Sequence, residues 1–491
     1  MRFAKPTQCP AIRFLFVLAA SVLLGSCSHP GQSALAITHV TLIDATGSAP
    51  QPDTTVLIAD HRIASVGPAK TIRIPRDTQV FDGAGKFLIP GLADMHVHLT
   101  GSSEPAGSRE FILPLLIANG ITTMRDMGGY LESLIPLRHD IEGGKRVGPQ
   151  IFFAGPYLDG SPPSFQPSLV VTNSVEAAED VHQLVAQGVD FIKVQSVLSR
   201  EAYFAIARSC RQEHITFVGH VPDAVTAAEA SDAGQKSIEH LTGVLRACAK
   251  DEPHLMREQL RNGGRKETLA RARARELTVE RELLQTYSGT KAAELMEKFV
   301  RNRTWQVPTL ILLRNLAYAT PQIDRSDNLA ARYVPHKILE QWLAVRHEQN
   351  EGATSQEFVL RAALLQRSIQ LVGTMQASGV SIMAGTDTGA PYVFPGFALH
   401  NELALLVQAG LTPMQALQAA TKSPADFLGK TKTQGTVEPG KFADLLLLDA
   451  NPLDDIRNTK KIRAVVLRGK LLDRNDLDAL LAAEEKFAGS N

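Results

Sequence analysis

Residues Phe87 to Gly101 read FLIPGLADMHVHLTG, a short apolar run that ends in His96 and His98 with one residue between them. Side chains at i and i+2 of an extended strand lie on one face, so the two imidazoles point the same way. Neutral imidazole is the commonest transition-metal ligand, and a His-x-His pair at the C-terminal end of a strand can grip one ion with both rings. The chain has 14 histidines, so this pair gains weight only if other segments supply further ligands.

Downstream, apolar runs of strand length alternate with helical stretches, the pattern of βα units and a parallel sheet. The runs are FLIPGLADM, ITTMRDM, QIFFAG, DFIKVQ, ITFVGH, KSIEHL, WQVPTLILL and VSIMAGTD, beginning near Phe87, Ile121, Gln150, Asp190, Ile215, Lys236, Trp305 and Val380. Eight such units predict an α/β chain with a (β/α)8 TIM barrel over residues 87–432, whose chemistry sits at the C-terminal strand ends. Residues 27–86 and 433–475 are different in texture, with alternating short runs and turn residues such as AITHVTLIDATG and GTVEPGKFADLLLLD. They predict hairpins that come together from both ends of the chain as one small β-sandwich. Residues 476–491 are expected to form a C-terminal helix or tail. Between the sixth and seventh runs, residues 246–303 are rich in Arg, Glu, Lys and Leu. They are expected to be a helical insertion, either a decoration of the barrel or a lid over its mouth.

Lys plus Arg equals Asp plus Glu, 51 each in 491 residues. There is no basic field to attract nucleic acid, and small-molecule chemistry is the better expectation. At the N-terminus, Arg2, Lys5 and Arg13 precede an apolar run from Phe14 to Leu24, which is too short to span a bilayer and has the build of a signal peptide over residues 1–26. The ending Leu24-Gly25-Ser26-Cys27 resembles a bacterial lipobox. That resemblance implies cleavage before Cys27, a lipid anchor on its sulfur, and an exported enzyme held at a membrane surface. Cys210 and Cys248, outside any CxxC spacing, are expected to be small buried hydrophobes.

The last residues of the predicted strands supply the missing ligand types: Lys193 on the fourth, His220 on the fifth, His240 on the sixth and Asp387 on the eighth. Each has an ordinary alternative, as a surface cation, a core histidine or a helix cap. What distinguishes them is that all fall at one predicted face. The segments PGLADMHVH, DFIKV, GHVPDAV, SIEHLTG and AGTDTGAP resemble the amidohydrolase superfamily, in its prolidase-like and imidazolonepropionase-like group, over about Leu35 to Leu472.

The resemblance implies that His96, His98 and Asp387 hold one divalent ion and that His220 and His240 hold a second. It further implies that Lys193, carboxylated by carbon dioxide, bridges the two, since a free ammonium has no lone pair with which to bind a cation. Zinc suits such ligands, although other divalent metals fit similar geometry. The implied reaction is attack of a metal-bridging hydroxide on an amide carbonyl, with Asp387 moving the proton to the leaving amine and His240 a further catalytic candidate. Peptide-like or N-acyl amino acid substrates are expected, with cyclic amides, lactones or esters as alternatives. A catalytically silent surface binding protein is the alternative of another class, and a homo-oligomer is left open.

Where relatives place an aromatic residue or histidine after the fifth-strand histidine, this chain has Val221 and Pro222. Candidate substrate contacts are therefore sought in Arg125, Arg200, Tyr203 and Arg314, as donors or guanidinium clamps. Tyr157, in the loop GPYLDGSPPSFQP, and His400, in FALHNELALL, complete the set. Arg125, beside Asp126, is the one with the strongest structural alternative.

Overall fold

The computed structural model describes residues 34–100, 108–261, 269–318 and 329–490. The expected signal peptide and Cys27 lie outside the described residues. Among these residues, no helix is long and apolar enough to cross a membrane.

The first five strands are β1 (Leu35–Leu42), β2 (Gln51–Ala59), β3 (Arg62–Pro68), β4 (Gln79–Asp82) and β5 (Phe87–Pro90). Then come β6 (Leu92–Val97), β7 (Ile121–Asp126), β8 (Gln150–Phe153), β9 (Tyr157–Asp159), β10 (Ser168–Val170), β11 (Ile192–Val194), β12 (Phe217–Gly219), β13 (Ser237–Glu239) and β14 (Trp305–Val307). Near the C-terminus are β15 (Leu445–Leu448), β16 (Ile462–Leu467) and β17 (Lys470–Leu472).

Strands from the two ends of the chain share a sheet in the order β17-β16-β15-β5-β1-β2-β3, with β4 also paired to β1. All eight of these strands belong to one hydrogen-bonded sheet. The reason lies in β1, whose register slips between Ile37 and Val40 where His39 takes a left-handed φ of 57°. Its first half pairs with β4 and its second half with β5. The Leu445–Leu448 run is buried on both faces, as a continuous apolar strand requires. Leu445 and Leu447 join the sheet's own core with Ile37, Val56 and Leu88. Leu446 and Leu448 face the main core with Ile89 and Leu116.

The remaining strands are parallel, in ladders β6-β7-β8 and β10-β9-β11-β12-β13-β14. Several boundaries differ from the sequence reading. Phe87–Pro90 belongs to the first sheet, and the parallel ladder begins at Leu92, after Gly91 donates its N–H to the Asp444 carbonyl. In WQVPTLILL only Trp305–Val307 is extended, because Thr309 adopts a φ of 44° and starts the helix Leu310–Ala317. VSIMAGTD forms no regular strand, yet it bridges the ladders. Met383 N–H donates to the Gln306 carbonyl, Met95 N–H to Ala384, and Asp387 N–H to His96. Helices between the strands start at side-chain caps, such as Asn173 before Ser174–Ala186 and the Thr226–Glu229 capping box before Ala227–Asp232. Among the described residues of the 246–303 segment are the helices Glu252–Leu260, Leu269–Gln285 and Gly289–Asn302. The helix Leu269–Gln285 is tied to the helix Ser355–Ala377 by a two-pronged Arg273–Glu357 ion pair at 2.8 and 3.1 Å.

At the seam between sheet and ladder, the Asp444 carboxylate accepts the Arg468 N–H at 2.6 Å, and burial pushes its pKa up from 3.8 to about 6. A carboxyl whose folded pKa lies above its unfolded one weakens folding once it ionises, so its contribution is lost as pH rises from about 4 through about 6. Urea midpoints measured across that range are expected to show this component in the native protein. The variant Asp444→Asn is expected to lack it.

Candidate metal centre

Four parallel strands and the 381–388 segment deliver their ends to one point. His96 and His98 close β6, Lys193 lies in β11, His220 follows β12, His240 follows β13, and Asp387 lies in the irregular segment. Two of these residues hold left-handed backbones, His240 at φ 56° and Asp387 at φ 65°. Such conformations are strained for residues with a side chain and persist where the surroundings enforce them. At His240 the turn has a direct effect: Glu239 and His240, neighbours in sequence, both reach the same buried cluster.

Asp387 Oδ1 is 3.1 Å from His96 Nε2 and 3.2 Å from His98 Nε2. The ring centroids of His96 and His240 are 4.4 Å apart, and those of His220 and His240 are 5.1 Å apart. Ligand atoms of His96, His240 and Asp387 lie within 4.8 Å of one another.

All four histidines are held by the nitrogen that faces away from this point. His96 Nδ1 lies 2.9 Å from Glu239 Oε2. His98 Nδ1 lies 3.2 Å from the Gly128 carbonyl and 3.1 Å from the Tyr157 hydroxyl. His220 Nδ1 meets Ser196 Oγ at 2.8 Å, and His240 Nδ1 meets Thr309 Oγ1 at 2.7 Å. A carboxylate and a carbonyl only accept, so His96 and His98 donate from Nδ1, and in their neutral forms they carry bare lone pairs on Nε2. His96 Nε2 is buried with no hydrogen-bond partner. Neutral imidazole lone pairs facing a carboxylate repel it, whereas a cation among them would satisfy all three; the donor set therefore fits a divalent metal. Burial, with Lys193 and the neighbouring rings, lowers His220 well below the usual histidine value. Burial and His96 lower His240 to about 3. Both are thereby kept in the neutral form that binds metal.

Lys193 is 1% exposed, and burial lowers its pKa from 10.5 to about 8 against the opposing pull of Glu239 and Asp387. Gly219 makes room for it. A Cβ there would stand 3.0 Å from Lys193 Cδ and 2.2 Å from the Val194 carbonyl oxygen.

Behind the histidines lies a charged layer that the sequence reading did not anticipate. Glu239 takes both of its oxygens to Arg125 Nη2 at 2.9 Å and accepts the Ser237 hydroxyl at 2.5 Å. Asp94 accepts the backbone N–H groups of His96 and Thr386 and the Thr386 hydroxyl, which ties β6 to the segment carrying Asp387. Asp126 accepts from Leu99 and Gly128 and shapes the loop beyond His98.

The proposed substrate contacts divide. Tyr157 stands at the centre, against His98. Arg125 does not: it is fully buried, with Nε donating to the Met95 carbonyl and its remaining donors on Ser237 and Glu239. Tyr203 is buried between helix and strand with its hydroxyl on Gln235, because its helix face turns inward. His400 is buried against Thr459 through Nδ1 at 3.0 Å, in the packing between helix and C-terminal segment. Arg200 pairs with Glu229 at the surface. Arg314, half-buried on the helix Leu310–Ala317, has its charge near Glu402. The 246–303 insertion does reach this face. Gln259 and Leu283 line a cavity of about 270 Å³ together with Ser196, Val221, Leu241 and Thr242.

The sequence profile of the amidohydrolase family matches residues 87–472, and the chain belongs to that family. It is thus a hydrolase of the amidohydrolase superfamily, and the relatives support action on carbon–nitrogen bonds. One relative is the ochratoxinase of Aspergillus niger, 28% identical over 157 residues; the match spans 31% of each chain, less than a third of that enzyme's length. Among solved structures, a protein from Bifidobacterium longum assigned as a prolidase is 26% identical with a TM-score of 0.65, over 92% of this chain and 99% of the other. Bottromycin amidohydrolase, at 24% identity, shares the fold with a TM-score of 0.72 over 92% of this chain and 90% of its own.

Removing the carboxylate behind a ligating histidine typically lowers metal affinity about 10- to 100-fold. Glu239→Gln is expected to show that loss in metal-binding titrations, with an unchanged far-ultraviolet circular dichroism spectrum.

Proposed function

We propose that this protein is a two-metal amidohydrolase that cleaves the carbon–nitrogen bond of peptide-like or N-acyl amino acid substrates. The observation that supports this reading is the cluster of His96, His240 and Asp387, whose ligand atoms lie within 4.8 Å of one another, with His98 on Asp387, His220 against His240 and the buried Lys193 close enough to feel the charge of Asp387. His96, His98 and Asp387 would hold one ion, and His220 and His240 the other. Lys193, as the carbamate formed with carbon dioxide, would lie between them. The bridging 381–388 segment supports closure of the two parallel ladders into a single (β/α)8 barrel, with the centre at its C-terminal mouth. Imidazole and carboxylate donors favour zinc.

When bound, such ions supply Lewis acidity toward a carbonyl oxygen and lower the pKa of water. The chain's own residues do the rest. Asp387 turns Oδ1 toward His96 and His98, so Oδ2 is the atom that takes up a proton and returns it to the leaving nitrogen. His240 has Nδ1 spent on Thr309 and its other nitrogen in the ligand cluster, so we assign it to the metal rather than to the oxyanion. Glu239 fixes the His96 tautomer, and Arg125 balances the buried charge of Glu239. Burial of Lys193 favours the neutral amine that carbamate formation requires. The N-terminal lipobox, if processed as expected, would display the enzyme on a membrane surface.

Metal analysis of the purified protein is expected to find about two equivalents per chain, as the binuclear class requires. Zinc-loaded enzyme should hydrolyse members of a panel of dipeptides and N-acyl amino acids, screened beside lactones and cyclic amides. Lys193→Ala is expected to lose at least about 100-fold in kcat/KM and to lack the carbamate carbon signal that 13C-bicarbonate gives in the native protein. Full activity in Lys193→Ala, or a folded native protein that binds no metal, would sink the two-metal reading.

A further inference from the structure

On the His98 side of the centre, the loop after β9 is built more firmly than a connecting loop needs. Asp159, fully buried, accepts three backbone N–H groups: Gly160 at 2.9 Å, Ser164 at 2.7 Å and Val197 at 3.0 Å. One carboxylate therefore joins the loop after β9 to the loop after β11. Gly160 presses so closely on the second loop that a Cβ would stand 2.1 Å from the Val197 carbonyl oxygen. The Ser168 hydroxyl donates to the Phe165 carbonyl at 2.6 Å and closes the loop's far end.

What this frame presents is apolar. Phe165 is 50% exposed and Val197 42% exposed, although each sits on backbone pinned by Asp159 or Ser168. The Phe165 ring lies 6.2 Å from the Tyr157 ring, at the spacing of an interacting aromatic pair. Tyr157 in turn lies 6.0 Å from the His98 ring, with its hydroxyl 3.1 Å from His98 Nδ1. Tyr157 is also wedged in place, since a Cβ on Gly128 would fall 2.1 Å from its ring. A continuous aromatic path thus runs from a ligating imidazole, through a buried tyrosine, to a half-exposed phenylalanine at the mouth. A large aromatic held half in water on a rigid loop loses apolar burial that a bound apolar group would restore.

We propose that Tyr157 and Phe165 form a platform for an apolar, preferably aromatic, group adjoining the scissile amide, and so set the substrate class within the function proposed above. This inference rests on that reading. Tyr157 has two tasks, steadying His98 through its hydroxyl and continuing the platform through its ring. Phe165 has only the second.

The test compares kcat and KM for N-acetylphenylalanine against N-acetylalanine and for N-benzoylglycine against N-acetylglycine. The native enzyme is expected to prefer the aromatic member of at least one pair by about tenfold or more. Phe165→Ala should remove most of that preference, chiefly through KM, while Phe165→Trp retains it and both keep the native metal content. Tyr157→Phe, which keeps the ring, should retain the preference and weaken metal binding. No aromatic preference in the native enzyme, or a preference that survives Phe165→Ala, would overturn the platform. If none of these amides is cleaved, the N-acyl amino acid reading of the substrate fails separately. The platform is then read by calorimetry of the native protein with 3-phenylpropanoate and propanoate. Tighter binding of the aromatic acid that Phe165→Ala weakens about tenfold supports it, and equal binding overturns it.

Discussion

A carboxylate oxygen of Asp387 lies within 3.2 Å of two imidazole nitrogens whose opposite ring atoms are committed to acceptors. In the neutral rings that leaves lone pairs against negative charge, an arrangement that resolves when a cation enters. Much of the surrounding architecture serves to hold these like-poled groups together. The strained backbones of His240 and Asp387, the Asp94 clasp between β6 and Thr386, and the hydroxyls of Ser196 and Thr309 all act on the same point. A site assembled in this way is preorganised: the cost of bringing the ligands together is met by folding, before any metal binds.

The charged layer behind the ligands follows from the same need. Arg125 and Glu239 are both fully buried, and an isolated buried ion pair is poor evidence for stability, because desolvation offsets its attraction. Here its value is positional. Glu239 dictates which nitrogen of His96 carries the proton, and Arg125 makes a permanently ionised Glu239 tolerable at full burial, with the faces of Phe191 and Phe427 near its guanidinium. Replacing the pair by hydrocarbon would improve packing and remove the orientation.

The small sheet and the insertion act on the centre from a distance. The sheet gathers strands from both ends of the chain, and Leu446 sends its side chain against Gly120, just ahead of β7. The insertion reaches the other face, where Gln259 and Leu283 wall a cavity beside Val221 and Leu241. It therefore packs beside the residues that follow His220 and His240.

Much of the candidate site was legible because strand ends are local features. An apolar run followed by His marks such an end wherever it lies in the chain, and His98, His220 and His240 follow β6, β12 and β13, whereas Lys193 lies within β11 and Asp387 ends a segment that forms no regular strand. Strand alternation also explains what stayed hidden. It places Glu239 on the face opposite His240, and only the left-handed turn at His240 brings both inward. It cannot tell a strand buried on one face from one buried on both, so Arg125 stayed among the candidate contacts despite its stronger structural alternative, while β7 is buried throughout. Tyr203 and His400 were misplaced for the helical counterpart of this reason: which face of a helix meets the core depends on what packs against it. Residue type and spacing along the chain determined which groups could bind a cation and that parallel strands would carry them. Which nitrogen faces that cation, which arginine is spent inside, and which aromatic is left at the mouth were decided by contacts between segments hundreds of residues apart. No local pattern encodes those contacts, because they depend on the packing of the whole chain.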